Sequence, residues 1–293
     1  MTPRIASRSR LRTLAASPPG RGGGAPPAPP VLDWYSTWGY ALGDGADARG
    51  DGASGSRKWD TFIGNAVVNE VIASTGLDFP TPRVLKNTAS SSALVDAVLR
   101  KTGLPVPAIG ESQYTRFYAR VPSAMAVCVE DPDTHPVQDG SAASQINWGW
   151  WFIQSGGGTW TPRYQQSQPA NPANYIWVAD APLNYDQTYR FESQVDRTGT
   201  TTFKGAVRIY DSSNVLVRGS ENFILSGGST PLDTFMATND FTFFSAANLA
   251  GLNAGYNGQG GTDWYPTVIE SYQGAVAVSR DTWCGPYDAE NEP

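Results

Sequence analysis

The sequence predicts an all-β sandwich or barrel. Turn residues recur between short runs of alternating apolar and polar residues from Val31 onward, helical periodicity is scarce, and Gly (31) and Pro (22) are abundant. Ala93–Lys101 (ALVDAVLRK) is the best helical candidate, and it is short enough to be a strand or a loop turn. A length of 293 residues allows one large domain or two small ones, and all-β domains often reach this size undivided. With 40% apolar and 12% aromatic residues the chain can fill a sizeable core, which excludes disorder throughout. No apolar run approaches the ~18 residues of a membrane-spanning helix, so the chain reads as soluble.

The first thirty residues stand apart. They carry Arg4, Arg8, Arg10, Arg12 and Arg21 and no acid, and ten of the thirteen residues from Pro18 to Pro30 are Pro or Gly. Such a stretch reads as a disordered leader. A basic start suggests export, yet the apolar segment of about 7–15 residues that a signal peptide needs is missing. An extracellular or cell-surface location is the expectation without a clear signal peptide. The domain is expected over 31–288, with an acidic tail at 289–293. Net charge is −6, or −11 without the leader, and this acidic balance argues against nucleic acid as a partner.

Four alternating runs carry most of the information. Gln113–Val121 sets Tyr114, Arg116, Tyr118 and Arg120 on one face. Gln145–Ile153 sets Ile146, Trp148, Trp150 and Phe152 against Gln145, Asn147, Gly149 and Trp151. Tyr189–Asp196 sets Tyr189, Phe191, Ser193 and Val195 against Arg190, Glu192, Gln194 and Asp196. Thr202–Tyr210 sets Phe203, Val207 and Ile209 against Lys204, Arg208 and Tyr210. Period-two alternation gives each run an inward apolar and an outward polar face. Together the polar faces hold Arg116, Arg120, Arg190, Lys204 and Arg208 against Glu192 and Asp196, a local excess of three positive charges. Tyr114, Tyr118, Trp151 and Tyr210 lie among them. Aromatic rings offer platforms for sugar C–H faces, and Arg forks grip carboxylates. On one curved sheet these faces would form a cleft for an acidic polysaccharide; divided between two sheets they would be ordinary solvated faces.

The Tyr-x-Arg-x-Tyr-x-Arg run, the Trp-rich run at 145–153, Thr188–Asp196 (TYRFESQVD) and Ala275–Tyr287 (AVAVSRDTWCGPY) resemble the concanavalin A-like lectin/glucanase superfamily, over roughly Val31–Tyr287. The resemblance implies a two-sheet antiparallel jelly-roll sandwich with carbohydrate across the concave sheet. Members include lectins, glucanases, polysaccharide lyases and non-catalytic modules, so fold alone does not choose among them. The glucanase branch fits poorly. Its Glu-x-Asp-x-Glu strand is absent, and Glu192 and Asp196 stand ~13 Å apart along a strand, beyond the ~5–9.5 Å that glycosidase carboxyl pairs need. The lyase branch fits better, because Gln145-Ile146-Asn147 resembles the Gln-Ile-His strand of alginate lyases. Asn147 cannot act as a base, which leaves Tyr118 and Tyr210 as acid/base candidates.

Further residues could add to a site. His135, the only histidine, lies in a polar loop and is either an acid/base or a loop hydrogen-bonder. Asp44, Asp47 and Asp51 gather carboxylates in a Gly-rich loop, as hard cations prefer. No cofactor is required by this reading, but the resemblance adds a structural Ca²⁺ as an option. Cys128 and Cys284 form one disulfide or are two buried thiols. Three functions follow: a carbohydrate-recognition domain for a uronate-containing polysaccharide, a polysaccharide lyase on the same cleft, and a structural or adhesive module.

Overall fold

Alternating sequence becomes paired strand. The computed structural model describes the backbone of residues 29–39, 42–43, 61–64, 67–90, 97–101, 107–120, 123, 133–137, 147–156, 159–168, 171–200, 202–226, 243–245 and 268–292. These residues hold sixteen strands: β1 Trp34–Ser36, β2 Thr61–Gly64, β3 Val67–Ala73, β4 Arg83–Ser90, β5 Ala97–Lys101, β6 Ser112–Arg120, β7 Asp133–Val137, β8 Asn147–Gly156, β9 Thr159–Gln168, β10 Asn171–Val178, β11 Leu183–Asn184, β12 Thr188–Arg197, β13 Thr202–Tyr210, β14 Leu216–Ser226, β15 Phe243–Ser245 and β16 Val268–Ser279. No α-helix occurs among the described residues. The segment left open between helix and strand contains β5, which pairs with β2 and β15.

The strands form an antiparallel sandwich. One sheet has eight strands in the order β14-β13-β12-β6-β16-β4-β3, with β1 added along β16. The second layer holds β10-β9-β8-β7, with β11 on β9. A three-stranded sheet, β15-β5-β2, adjoins it where β15 runs beside β7. Three of the four alternating runs, in β6, β12 and β13, are therefore neighbours in one sheet. The Trp-rich run, β8, belongs to the other.

The inward faces meet in an aromatic core. Phe117 of β6 and Phe191 of β12 stack at 5.0 Å with planes 9° apart. Trp150 of β8 meets them edge-on, at 6.4 Å and 5.2 Å, and Tyr164 of β9 closes on Trp150 at 5.4 Å. Trp160 of β9 leans on Phe191 at 5.8 Å. All five side chains are fully buried, alongside Val195, Val207 and Ile209. Such ring pairs contribute about 0.5–1.5 kcal/mol each beyond the apolar area they bury. Thr115 and Ser193, inward on the same two strands, satisfy each other through a 2.5 Å hydroxyl contact.

Cys284 belongs to a smaller cluster on the other face of the eight-stranded sheet, with Tyr35 and Ala277 and with Leu32 and Tyr114 packed against them. It is a free thiol, and burial pushes its pKa up. Cys128, its expected partner in one of the two readings, lies outside the described residues.

Phe191 touches both layers, so Phe191→Ala is expected to cost about 3–5 kcal/mol in urea denaturation. A cost under about 1 kcal/mol would contradict the central place given to this ring.

Candidate functional site

The pairing of β6, β12 and β13 lines up their outward residues in rows. Arg116 stands opposite Glu192, which stands opposite Arg208. In the next row Tyr118 faces Arg190, which faces Tyr210. Arg120 is opposite Thr188, and Asp196 lies between Ser112 and Lys204. The period-two reading of these three strands is thus realised on a single face.

That face is not an open positive surface. Arg116, 0% exposed, holds the Glu292 carboxylate with both terminal nitrogens, Nη1 donating at 2.7 Å and Nη2 to the second oxygen. Arg190 Nε lies 3.5 Å from Glu192, Arg208 Nε 2.9 Å from Glu221, and Arg120 Nη1 3.8 Å from Asp78. The positive excess summed over the strands is cancelled by acids from outside them: Asp78, Glu221 and Glu292. Burial alone would lower the Arg116 pKa, but the paired Glu292 more than offsets it and holds the guanidinium above its ordinary value. Glu192 is 1% exposed, and burial raises its pKa against the opposing charges of Arg190 and Arg116.

Residues 283–292 lie over this row. Trp283 covers the Arg208 guanidinium at 3.9 Å and meets Tyr114 at 5.5 Å. The Tyr287 N–H donates to Tyr118 Oη at 2.8 Å. Gly285 has φ +68°, a conformation that favours glycine. Within the expected acidic tail, Ala289, Glu290 and Asn291 are exposed and Glu292 is only 2% exposed.

Beside this segment opens a cleft of about 380 Å³, lined by Tyr118, Thr188 and Arg190, by Asp78 and Phe79, by the 211–214 turn, and by Pro286 and Tyr287. Arg190 forms part of it, donating to Asn214 Oδ1 at 2.5 Å while the Tyr210 ring lies 4.0 Å from its guanidinium carbon. The turn is self-braced: Asp211 Oδ1 accepts from the N–H groups of Ser213 and Val215, both at 2.9 Å, and Asn214 takes φ +61°. Phe79 reaches the cleft because Gly274, at a β16 bulge, has no side chain. A Cβ there would meet the Phe79 ring at 2.6 Å and Tyr118 Cβ at 3.0 Å.

The other expected residues fall elsewhere. Lys204 is exposed on β13. Asn147 and Trp151 lie on β8 in the second layer, so they do not join Arg116 and Tyr118 on one surface. His135 lies within strand β7 rather than in a loop. Gln145, Asp44, Asp47 and Asp51 lie outside the described residues. Among the described residues no group of three or more His, Cys, Asp or Glu is placed to hold a metal, and no helix is long and apolar enough to cross a membrane. Sequence reasoning missed Phe79, Asn214, Trp283, Tyr287 and Glu292. Asp211-Ser-Ser-Asn214 carried a turn signal, whereas Glu292 carried none.

No family model matches the chain, and no curated protein matches its sequence. Among solved structures it is similar to the alginate lyase Aly36B, at 12% identity and a TM-score of 0.51, over 87% of this chain and 99% of that one. The fold is the concanavalin A-like jelly roll. The endo-β-1,4-glucuronan lyase of the fungus Trichoderma reesei is similar at 13% identity and TM-score 0.48, over 75% of this chain and 90% of that one. The endo-1,3-β-glucanase of Streptomyces sioyaensis is similar at 11% identity and TM-score 0.45, over 88% and 98%. In this jelly roll the cleft lies on the outer face of the eight-stranded sheet.

The raised Glu192 pKa has a signed consequence. A native carboxyl that keeps its proton longer than the unfolded one adds stability at low pH, and loses it as pH rises through the native pKa. The stability of the parent relative to Glu192→Gln should therefore fall as pH rises above the ordinary glutamate range, as followed by urea denaturation. A difference that is constant or rises from about pH 4 to about pH 8 would contradict the burial assigned to this carboxyl.

Proposed function

We propose that this jelly roll recognises a polysaccharide in the cleft beside Tyr118 and Arg190, and that a uronate-containing polymer is its ligand class. The cleft itself carries the reading. Its volume lies within the usual range for ligand sites. It combines the Phe79, Tyr118 and Tyr287 rings with hydroxyl, carboxylate, amide and guanidinium groups from Thr188, Asp78, Asp211, Asn214 and Arg190. Apolar ring faces and hydrogen-bonding groups side by side are what a sugar ring requires. The preference for an acidic ligand rests on Arg190, the guanidinium in the cleft's lining, a group whose fork suits a carboxylate.

Affinity gels and calorimetry with polyglucuronate and with a neutral glucan test this reading. Phe79→Ala should weaken binding about three- to tenfold, an order expected for losing one stacking contact. Asp78→Asn should strengthen binding of the acidic polymer by removing a like charge at the rim, and leave a neutral glucan unaffected or weaker. A folded Phe79→Ala that binds every glycan like the parent would remove the cleft from consideration.

A second reading, β-elimination from a uronate, is favoured by the register of the second layer. There Trp151 is opposite both Arg163 and Asp133, Gly149 is opposite Gln165, and Gln165 is opposite Tyr175. Asn147 opens β8 opposite Ser167, and His135 lies in the adjoining β7. Elimination calls for a cation at the uronate carboxylate, a base and an acid, and these residue types lie on four neighbouring strands. The ultraviolet absorbance of the unsaturated uronate product separates the readings. A rise lost in Arg163→Ala or Tyr175→Phe but kept in Phe79→Ala assigns a lyase to the second layer. A flat trace across alginate, glucuronan and pectate leaves binding alone.

A further inference from the structure

Arg116 is fully buried, and its carboxylate partner reaches it from far along the chain. After β16 the chain crosses the outer face as an irregular strap, residues 283–292. Among the described residues its backbone makes backbone hydrogen bonds only within its own turn, from the N–H groups of Asn291 and Glu292 to Asp288 O, at 3.2 and 2.8 Å. Its other hydrogen bonds to the face run through side chains. Arg116 donates to Gly285 O at 3.3 Å and to Glu292, the Tyr118 hydroxyl accepts from the Tyr287 N–H, and the Cys284 thiol donates to Tyr114 O at 3.8 Å. Pro286 and Tyr287 form one wall of the cleft, so the strap separates the cleft from Arg116. On its far side a cavity of about 670 Å³ lies between it and Pro29, Pro30 and Leu32.

From this arrangement we infer that the strap is a built-in competitor for the ligand. The site continues beneath it to Arg116, where Glu292 stands in for the carboxylate of an acidic sugar, and a uronate polymer entering from the cleft takes Glu292's place. The exchange is chemically matched. A buried guanidinium left alone is strongly unfavourable, but one carboxylate replacing another leaves Arg116 paired throughout. The bidentate fork that holds Glu292 is the geometry by which Arg recognises a free carboxylate. Released from Arg116, the strap loses the contacts made by Gly285 and Glu292 together. This inference rests on the carbohydrate reading and extends it from the cleft to a second, covered subsite.

Two measurements on the full chain test it, with a tetramer of glucuronate as the acidic probe and a neutral glucan tetramer as the comparison. In the unmutated protein, adding the acidic tetramer should speed amide exchange across 285–292, while the neutral one leaves it unchanged. In calorimetry, Glu292→Gln, which weakens the occupant's hold on Arg116, should bind the acidic tetramer at least tenfold more tightly. Such a gain follows when the competent state is about one tenth populated or less. Arg116→Met/Glu292→Leu, which removes the subsite, should lose that gain and bind both tetramers through the cleft alone. If the acidic tetramer binds the parent while exchange in 285–292 stays as it was, the strap is a fixed part of the domain and the inference fails, leaving the cleft intact. Loss of the inference also follows if Glu292→Gln, folded as judged by its melting curve, gains no affinity. No binding of either tetramer to parent or variants would overturn both this inference and the carbohydrate reading.

Discussion

The stack of Phe117 on Phe191, wedged from the opposite layer by Trp150, decides which residues of β6 and β12 face outward. Strand residues alternate sides, so a slip of one residue would drive Arg116, Tyr118, Arg190 and Glu192 into the aromatic core and expel the rings. The cost of placing those charges in an apolar core, away from their partners, makes the register close to unique. Pairing in that register produces the rows Arg116–Glu192–Arg208 and Tyr118–Arg190–Tyr210. The cleft, the strap and the charge pattern all build on these rows.

Charge on the outer face is locally rich and nearly balanced. Each of Arg116, Arg120, Arg190 and Arg208 has a carboxylate within 4 Å, and for Arg116 and Arg208 that partner comes from a segment distant in sequence or from the next strand. Exposed pairs such as Arg120–Asp78 contribute little to stability, whereas Arg116–Glu292 is buried and must stay paired. A surface organised this way does not attract anions by a broad field. In the proposed reading it selects them by offering a shaped guanidinium to a carboxylate that replaces the resident one. An overall charge of −6 is compatible with that kind of selection.

Local pattern was legible in the sequence, and long-range pairing was not. The inward and outward residues of β6, β12 and β13 follow from period two alone, because each strand has one face against the core. The same alternation marked the Trp-rich run as a strand but carried no sign of its neighbours, and β8 pairs with β7 and β9 in the second layer. That division separates Trp151 and Asn147 from Arg116 and Tyr118. The role of Glu292 was invisible because it depends on a contact spanning 176 positions, made by a segment with no periodicity. His135 was read as a loop residue because prolines and acids surround it, yet pairing with β8 makes it part of a strand. The cleft was half legible: Tyr118 and Arg190 come from the alternating runs, while Phe79 reaches it only through the space left by Gly274.

The central claim is that the outer face of the eight-stranded sheet is the glycan-binding surface. Photo-crosslinking with an aryl-azide-tagged oligoglucuronate, mapped by peptide mass spectrometry, addresses it most directly. Adducts on residues 78–80 and 211–214, competed away by untagged polymer, are the predicted result. Adducts confined to 133–178, on β7 to β10, would place the ligand on the other layer and contradict the account.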